Sequence, residues 1–224
     1  MGLFGPSWAA LRAAVEGLAA EDFARPSGCA GWLVRDLVCH LVIDAQDVLI
    51  TLVTPSPAEP TRDAASYWRA ADGPPDGRDP LDALTVRLAA AYGDPALLRF
   101  HLDDVGSAAG RAAELADPRL RVATQGQVLT AGDYLDAYVL EWTLHHLDLV
   151  AHLPHLPHLP GPPAEALGAA RLLLERVAGA PFPASFADAD ALLVGTGRRA
   201  ATPAERSRLE ALGTRGPAWP LVLG

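Results

Sequence analysis

The sequence predicts a mainly helical bundle that carries a small strand-helix-strand appendage toward its C-terminal end. Three observations lead there. Apolar residues recur at helical spacing over most of the chain up to His152, prolines at every third position from Pro154 to Pro160 break that pattern, and short apolar runs resume near the end. The break divides the chain into a bundle over residues 1–153 and a linker, helix and extension over 154–224.

Each element has a local reason. Trp8, Leu11, Val15 and Leu18 fall three and four apart behind Ser7, a residue suited to an N-cap, and predict a helix over about 7–20. Pro26, Gly28 and Gly31 interrupt the chain before a second run from Trp32 to about Val53, apolar on most sides and therefore central. Thr54–Pro80 is dense in Pro, Gly and Asp and reads as a binding loop, with one short helix at 64–71 carrying Tyr67 and Trp68. Helices follow over 81–92 and 95–116, punctuated by Gly93, the cap Asp94 and Pro95.

Arg121–Thr124 is extended, and Thr130 with Asp133 forms a capping box that opens a helix over 131–152. The prolines of 153–160 favour a polyproline II connector. Beyond it lie a helix at 163–178, a strand at Ala191–Val194, a capping box at Thr202-Pro203-Ala204-Glu205 and a closing strand at Trp219–Leu223.

Composition narrows the function. The net charge is −9, from 27 acids against 18 bases, with no Lys/Arg cluster, so a phosphate backbone is repelled and nucleic acid is excluded as a partner. Apolar stretches such as Leu37–Ile43 end at charged residues long before the roughly 20 that a membrane span needs. The N-terminus lacks the basic and apolar regions of a secretion signal, and two cysteines do not make a disulfide framework, so the expected location is the cytoplasm.

The chemistry concentrates on two helices. Glu141 and His145 are four apart and project from one helical face, one turn apart. His40 lies amid apolar residues on another helix, and antiparallel packing would bring its imidazole over that pair. Two imidazoles and a carboxylate are a ligand set of catalytic zinc that leaves positions open. Asp148 lies near the same face and is expected to act catalytically or to orient a ligand, while Tyr67 and Trp68 are expected to line a cofactor pocket. Asp44, one turn beyond His40, is a candidate supporting residue.

The segment from Gly31-Trp32 through Arg35-Asp36 to His40, then Asp133-Tyr134-Leu135, Glu141-Trp142-Thr143-Leu144-His145 and the tail Gly195-Thr196-Gly197-Arg198-Arg199, resembles the mycothiol-dependent maleylpyruvate isomerase family of the DinB-like superfamily. The resemblance implies an up-and-down four-helix bundle with a small C-terminal α/β appendage. It implies a divalent metal (Zn, or Ni, Fe or Mn) on His40, Glu141 and His145, and mycothiol, the thiol of actinobacteria, as cofactor. Partners would then be that thiol and a small electrophile, with the protein a monomer or homodimer. The function so implied is a metal-dependent thiol transferase or isomerase; the alternative is a non-catalytic metal- or small-molecule-binding bundle. Leu33 departs from the Thr or Ser that often caps the second helix in relatives, and the stretch after Pro160 is shorter than the C-terminal domain of the isomerase itself.

Overall fold

In the computed structural model, which describes residues 2–68, 80–156, 158–211 and 220–221, the chain is mainly helical. α1 (Phe4–Glu16), α2 (Val34–Leu52), α4 (Pro95–Leu115) and α5 (Ala131–Val150) form a bundle, with α3 (Pro80–Ala91) against α2. α2 packs on α4, α4 on α1 and α1 on α5, whereas α2 and α5 touch sparsely. The bundle is therefore tight on three seams and open on the fourth.

The core explains the closed seams. Phe4, Trp8, Leu11 and Val15 of α1 are buried at helical spacing, and the Trp8 ring stacks on Trp142 of α5 at 4.1 Å. Trp8 also donates its indole N–H to the Gly106 carbonyl of α4, at 2.8 Å. One side chain thus fixes three helices. α1 starts earlier than expected: Ser7 lies inside it, its hydroxyl donating to Leu3 O, rather than capping it.

Asp94 caps α4 by accepting from Ala96 N at 2.9 Å. At α5, Thr130 Oγ1 accepts from Asp133 N at 3.0 Å and donates to the Asp133 carboxylate at 2.7 Å. Thr130→Ala is expected to lower the unfolding free energy by about 1 kcal/mol, read as a shifted urea midpoint at unchanged slope. α2 has half a capping box: Leu33 offers no acceptor, but Asp36 accepts from Leu33 N at 2.8 Å.

A hairpin precedes α5. β1 (Arg121–Thr124) pairs antiparallel with β2 (Gln127–Thr130), in register from Arg121 opposite Thr130 to Thr124 opposite Gln127. Gln125 and Gly126 both take positive φ, 47° and 74°, as a two-residue hairpin turn of this hand demands. The long loop is stitched to this hairpin through Ala123 N to Thr54 O and Thr61 N to Val128 O.

Beyond the start of α1, the sequence expectations need four corrections. Residues 64–67 form a turn rather than a helix, and 69–71 lie outside the described residues. The described residues of 153–160 do not form a polyproline II linker: Leu153, Leu156 and Leu159 donate to Val150, Leu153 and Leu156, with Leu153 buried in the bundle core. The expected strand at Ala191–Val194 is helix α7 (Asp188–Gly195), since a four-residue apolar run carries no period of its own. In the closing strand, Pro220 and Leu221 are irregular and Leu221 N donates to Gly195 O, while Trp219, Val222 and Leu223 lie outside the described residues.

α6 (Ala164–Ala178) ends at Gly179, and it packs with α7 on α5. Leu140, Leu144 and Leu147 join Ala170, Leu173, Leu174 and Leu192 in a second apolar cluster. The capping box opening α8 (Pro203–Glu210) is present in full, with Thr202 and Glu205 bonding each other's backbone.

Candidate metal centre

The open seam between α2 and α5 holds the polar cluster. His40 faces it from the middle of α2, with the Trp32 ring packed against its own at 5.2 Å. Glu141 and His145 face it from successive turns of α5. His145 Nε2 lies 2.9 Å from Glu141 Oε1 and 3.1 Å from His40 Nε2, which is 3.5 Å from the same Glu141 oxygen and 3.2 Å from Asp44 Oδ2. The donor atoms of all four residues lie within 4.8 Å of one another. His40 and His145, 105 apart in the chain, are brought together by the packing of α2 beside α5.

The geometry suits a divalent cation. Two ligands of a tetrahedral ion with bonds of roughly 2.0–2.1 Å stand about 3.3 Å apart. Each of the measured separations is near that edge length, and imidazole nitrogen with carboxylate oxygen is a donor set for Zn²⁺ and its first-row neighbours. The His40 and Glu141 side chains remain 23% and 19% exposed, so the cluster meets solvent on their side.

Behind His145 the wall is closed. Its Nδ1 donates to Asp148 Oδ2 at 3.2 Å, and Asp148, 1% exposed, receives Arg198 Nε on both oxygens at 2.9 and 3.0 Å. The Cys29 thiol donates to Asp148 Oδ2 at 3.3 Å, and its sulfur lies 3.7 Å from His145 Nδ1. Gly28 N donates to Asp148 O at 2.8 Å. A Cβ at Gly28 would come within 2.7 Å of Asp148 Cα, so only glycine permits this approach. The arrangement locks the ring with Nε2 toward the cluster, as a carboxylate behind a ligating histidine does.

Electrostatics divide the acids. Burial favours neutral Glu141, but the charge and hydrogen bonds of His145 and the bond to His40 outweigh it and hold the carboxyl below its ordinary range. Burial likewise opposes charge on His145, and Glu141 together with Asp148 and Cys29 reverses that, raising the imidazole well above its ordinary value. For Asp44 burial prevails over His40 and, with the Glu141 charge, pushes the carboxyl up to about 6. Burial also raises the Cys29 thiol despite its bond with His145, which keeps it neutral.

Free of metal, His145 therefore carries a proton on both nitrogens at neutral pH, and a cation must displace the one on Nε2. Metal uptake is expected to release protons and to tighten as pH rises, levelling only above the raised pKa of His145. Calorimetric titrations in buffers of different ionisation enthalpy check this; a heat independent of buffer would contradict it.

The structure places the other expected residues as follows. Tyr67 stands within reach of the charges of Asp47, Glu141 and Asp44, which with burial raise its phenol, and its ring is 6.1 Å from Tyr134. Trp68 instead packs on the apolar cluster formed by α5 and α6. His146 is buried, donates to Pro160 O at 2.8 Å, and is kept neutral by burial. Cys29 and Arg198 join the site through tertiary packing alone. Asp47, which accepts the hydroxyls of Tyr134 and Tyr138 at 2.9 Å each, has a spacing signal one turn past Asp44.

The sequence profile of the mycothiol maleylpyruvate isomerase N-terminal domain matches residues 4–150, which include α1 to α5 and all four clustered residues. No curated protein and no solved structure matches the chain. Among the described residues no helix is long and apolar enough to cross a membrane.

Proposed function

Since the chain belongs to the mycothiol maleylpyruvate isomerase N-terminal domain family, we propose that it is a metal-dependent enzyme using mycothiol to attack a small electrophile, as a thiol transferase or a cis-trans isomerase. The observation that carries this reading is the convergence of His40, Glu141 and His145 at an exposed seam of the bundle. A divalent cation held there lowers the pKa of a thiol and stabilises its thiolate at neutral pH.

The protein's own residues supply the rest. Asp148, shielded from substrate, acts as a positioning residue that fixes the His145 ring, and Arg198 keeps it ionised; burial raises the Asp148 carboxyl, but His145 and Arg198 together hold it low. Glu141 balances the cation's charge from the same helix. Tyr67, within reach of the charges of Asp47 and Glu141, offers a phenol that stays protonated and would donate a hydrogen bond to a bound thiol or substrate. The thiolate would add to one carbon of an activated C=C, the π pair moving onto the conjugated carbonyl; in a transfer the adduct takes up the proton the thiol gave up and is released, and in an isomerisation it rotates about the new C–C single bond, the C=C re-forms and the thiolate leaves.

Incubating metal-loaded protein with mycothiol and a panel of electrophiles tests the proposal. Expected are loss of free thiol or a cis-trans change in the electrophile, and neither in His40→Ala or His145→Ala protein. Metal content equal in all three proteins, by elemental analysis without a His-tag, would end it. Binding of metal and thiol with no turnover would leave a sequestering bundle.

A further inference from the structure

We propose that Asp44 is a fourth protein ligand, so that before a thiol arrives the cation is held by two imidazoles and two carboxylates rather than by three side chains and water. The inference rests on the metal reading above.

Position comes first. Asp44 follows His40 by four residues on α2 and so shares its face, mirroring the Glu141 and His145 pair on α5. Each helix thus contributes one imidazole and one carboxylate to the same point. Asp44 Oδ2 stands 3.2 Å from His40 Nε2, within a tenth or two of the about 3.3 Å expected between two ligands of one tetrahedral ion.

The second observation is independent of spacing. Asp44 Oδ2 is buried and, although His40 Nε2 is 3.2 Å away, makes no hydrogen bond to any described residue. Leaving a buried carboxylate oxygen without a donor is costly. Its neighbours are provided for: Asp47 by two tyrosine hydroxyls, Asp148 by Arg198. The side chains facing Asp44 are His40 and His145 on one hand and Glu141 and Asp47 on the other. A cation at the shared point would satisfy that oxygen.

A fourth ligand changes what the site can do. Two carboxylates cancel the charge of a divalent ion, and the ion has no open position at tetrahedral coordination. An incoming thiol must displace Asp44 or raise the coordination number. The site would then be quiet toward water and responsive to a stronger ligand.

The test uses full-length, tag-free protein and Co²⁺ alone, read by its visible absorption and by competition with a chromophoric chelator. Asp44→Asn is expected to shift the Co²⁺ bands and weaken binding by more than about 100-fold, beyond the roughly 10–100-fold typical of losing an outer partner. Asp47→Asn, which removes the same charge one turn farther on, is expected to leave the bands in place. Without metal, the Asp44→Asn protein is expected to melt no lower than wild type, since the substitution removes an unpartnered buried charge; Asp44→Ala provides a second reading of the same bands. Unchanged bands in both Asp44 variants, with an affinity loss no greater than that of Asp47→Asn, would overturn the proposal while leaving the three-residue site intact. Wild-type protein that takes up no Co²⁺ would overturn both.

Discussion

Asp148→Asn is expected to lower the unfolding free energy by about 3 kcal/mol and to weaken binding at the proposed metal centre by roughly 10–100-fold. Both effects come from one carboxylate. Asp148 is 1% exposed and holds Arg198, itself only 21% exposed, through both oxygens. An amide leaves that guanidinium with half its partner and no counter-charge. The amide also ceases to be a strong acceptor for His145 Nδ1, so the ring loses the contact that aims Nε2 at the cluster. Urea denaturation and chelator competition read the two losses separately. A variant as stable as wild type would show that water replaces the carboxylate without penalty.

Trp142→Ala is expected to cost about 3–5 kcal/mol, with a melting temperature lower by about 10 °C. Trp142 is fully buried, stacks on Trp8, and meets Phe4 at 5.9 Å and Tyr138 at 5.1 Å. No small side chain fills a space enclosed by three other rings. Trp142→Phe is expected to cost less than Ala, because a phenyl ring refills much of the space, and loss of an indole N–H that has no hydrogen-bond partner forfeits no bond. Calorimetry of the two variants ranks them; equal losses would mean that the surrounding rings close over alanine as well as they pack on phenylalanine.

The elements that could be read from the chain were those whose residues talk to neighbours in sequence. Trp8, Leu11 and Val15 declare a buried face by spacing alone, and Asp94 and Thr130 announce helix starts through bonds spanning two or three residues. The Glu141 and His145 pair is legible for the same reason, and its meeting with His40 follows from packing two helices side by side. What escaped was tertiary. Nothing near Cys29 or Arg198 signals that each will reach Asp148 across 119 and 50 residues. Ala191–Val194 was equally opaque, because Asp188 and Asp190 at its first turn and α6 alongside it decide for helix. The prolines of 153–160 hid a leucine repeat whose turns present Leu153, Leu156 and Leu159 to the bundle.

The bond from Arg198 to Asp148 ties the bundle to the later part of the chain. The guanidinium that holds Asp148 against the His145 ring comes from beyond residue 150, where the family match ends, and Leu140, Leu144 and Leu147 are covered by helices from the same later stretch. A chimera that kept this bundle but took its tail from a distant relative would need a cation delivered to the same buried spot and a matching apolar surface over α5. Bundle and later stretch are thus coupled twice over, once through a buried charge and once through the apolar cover of α5.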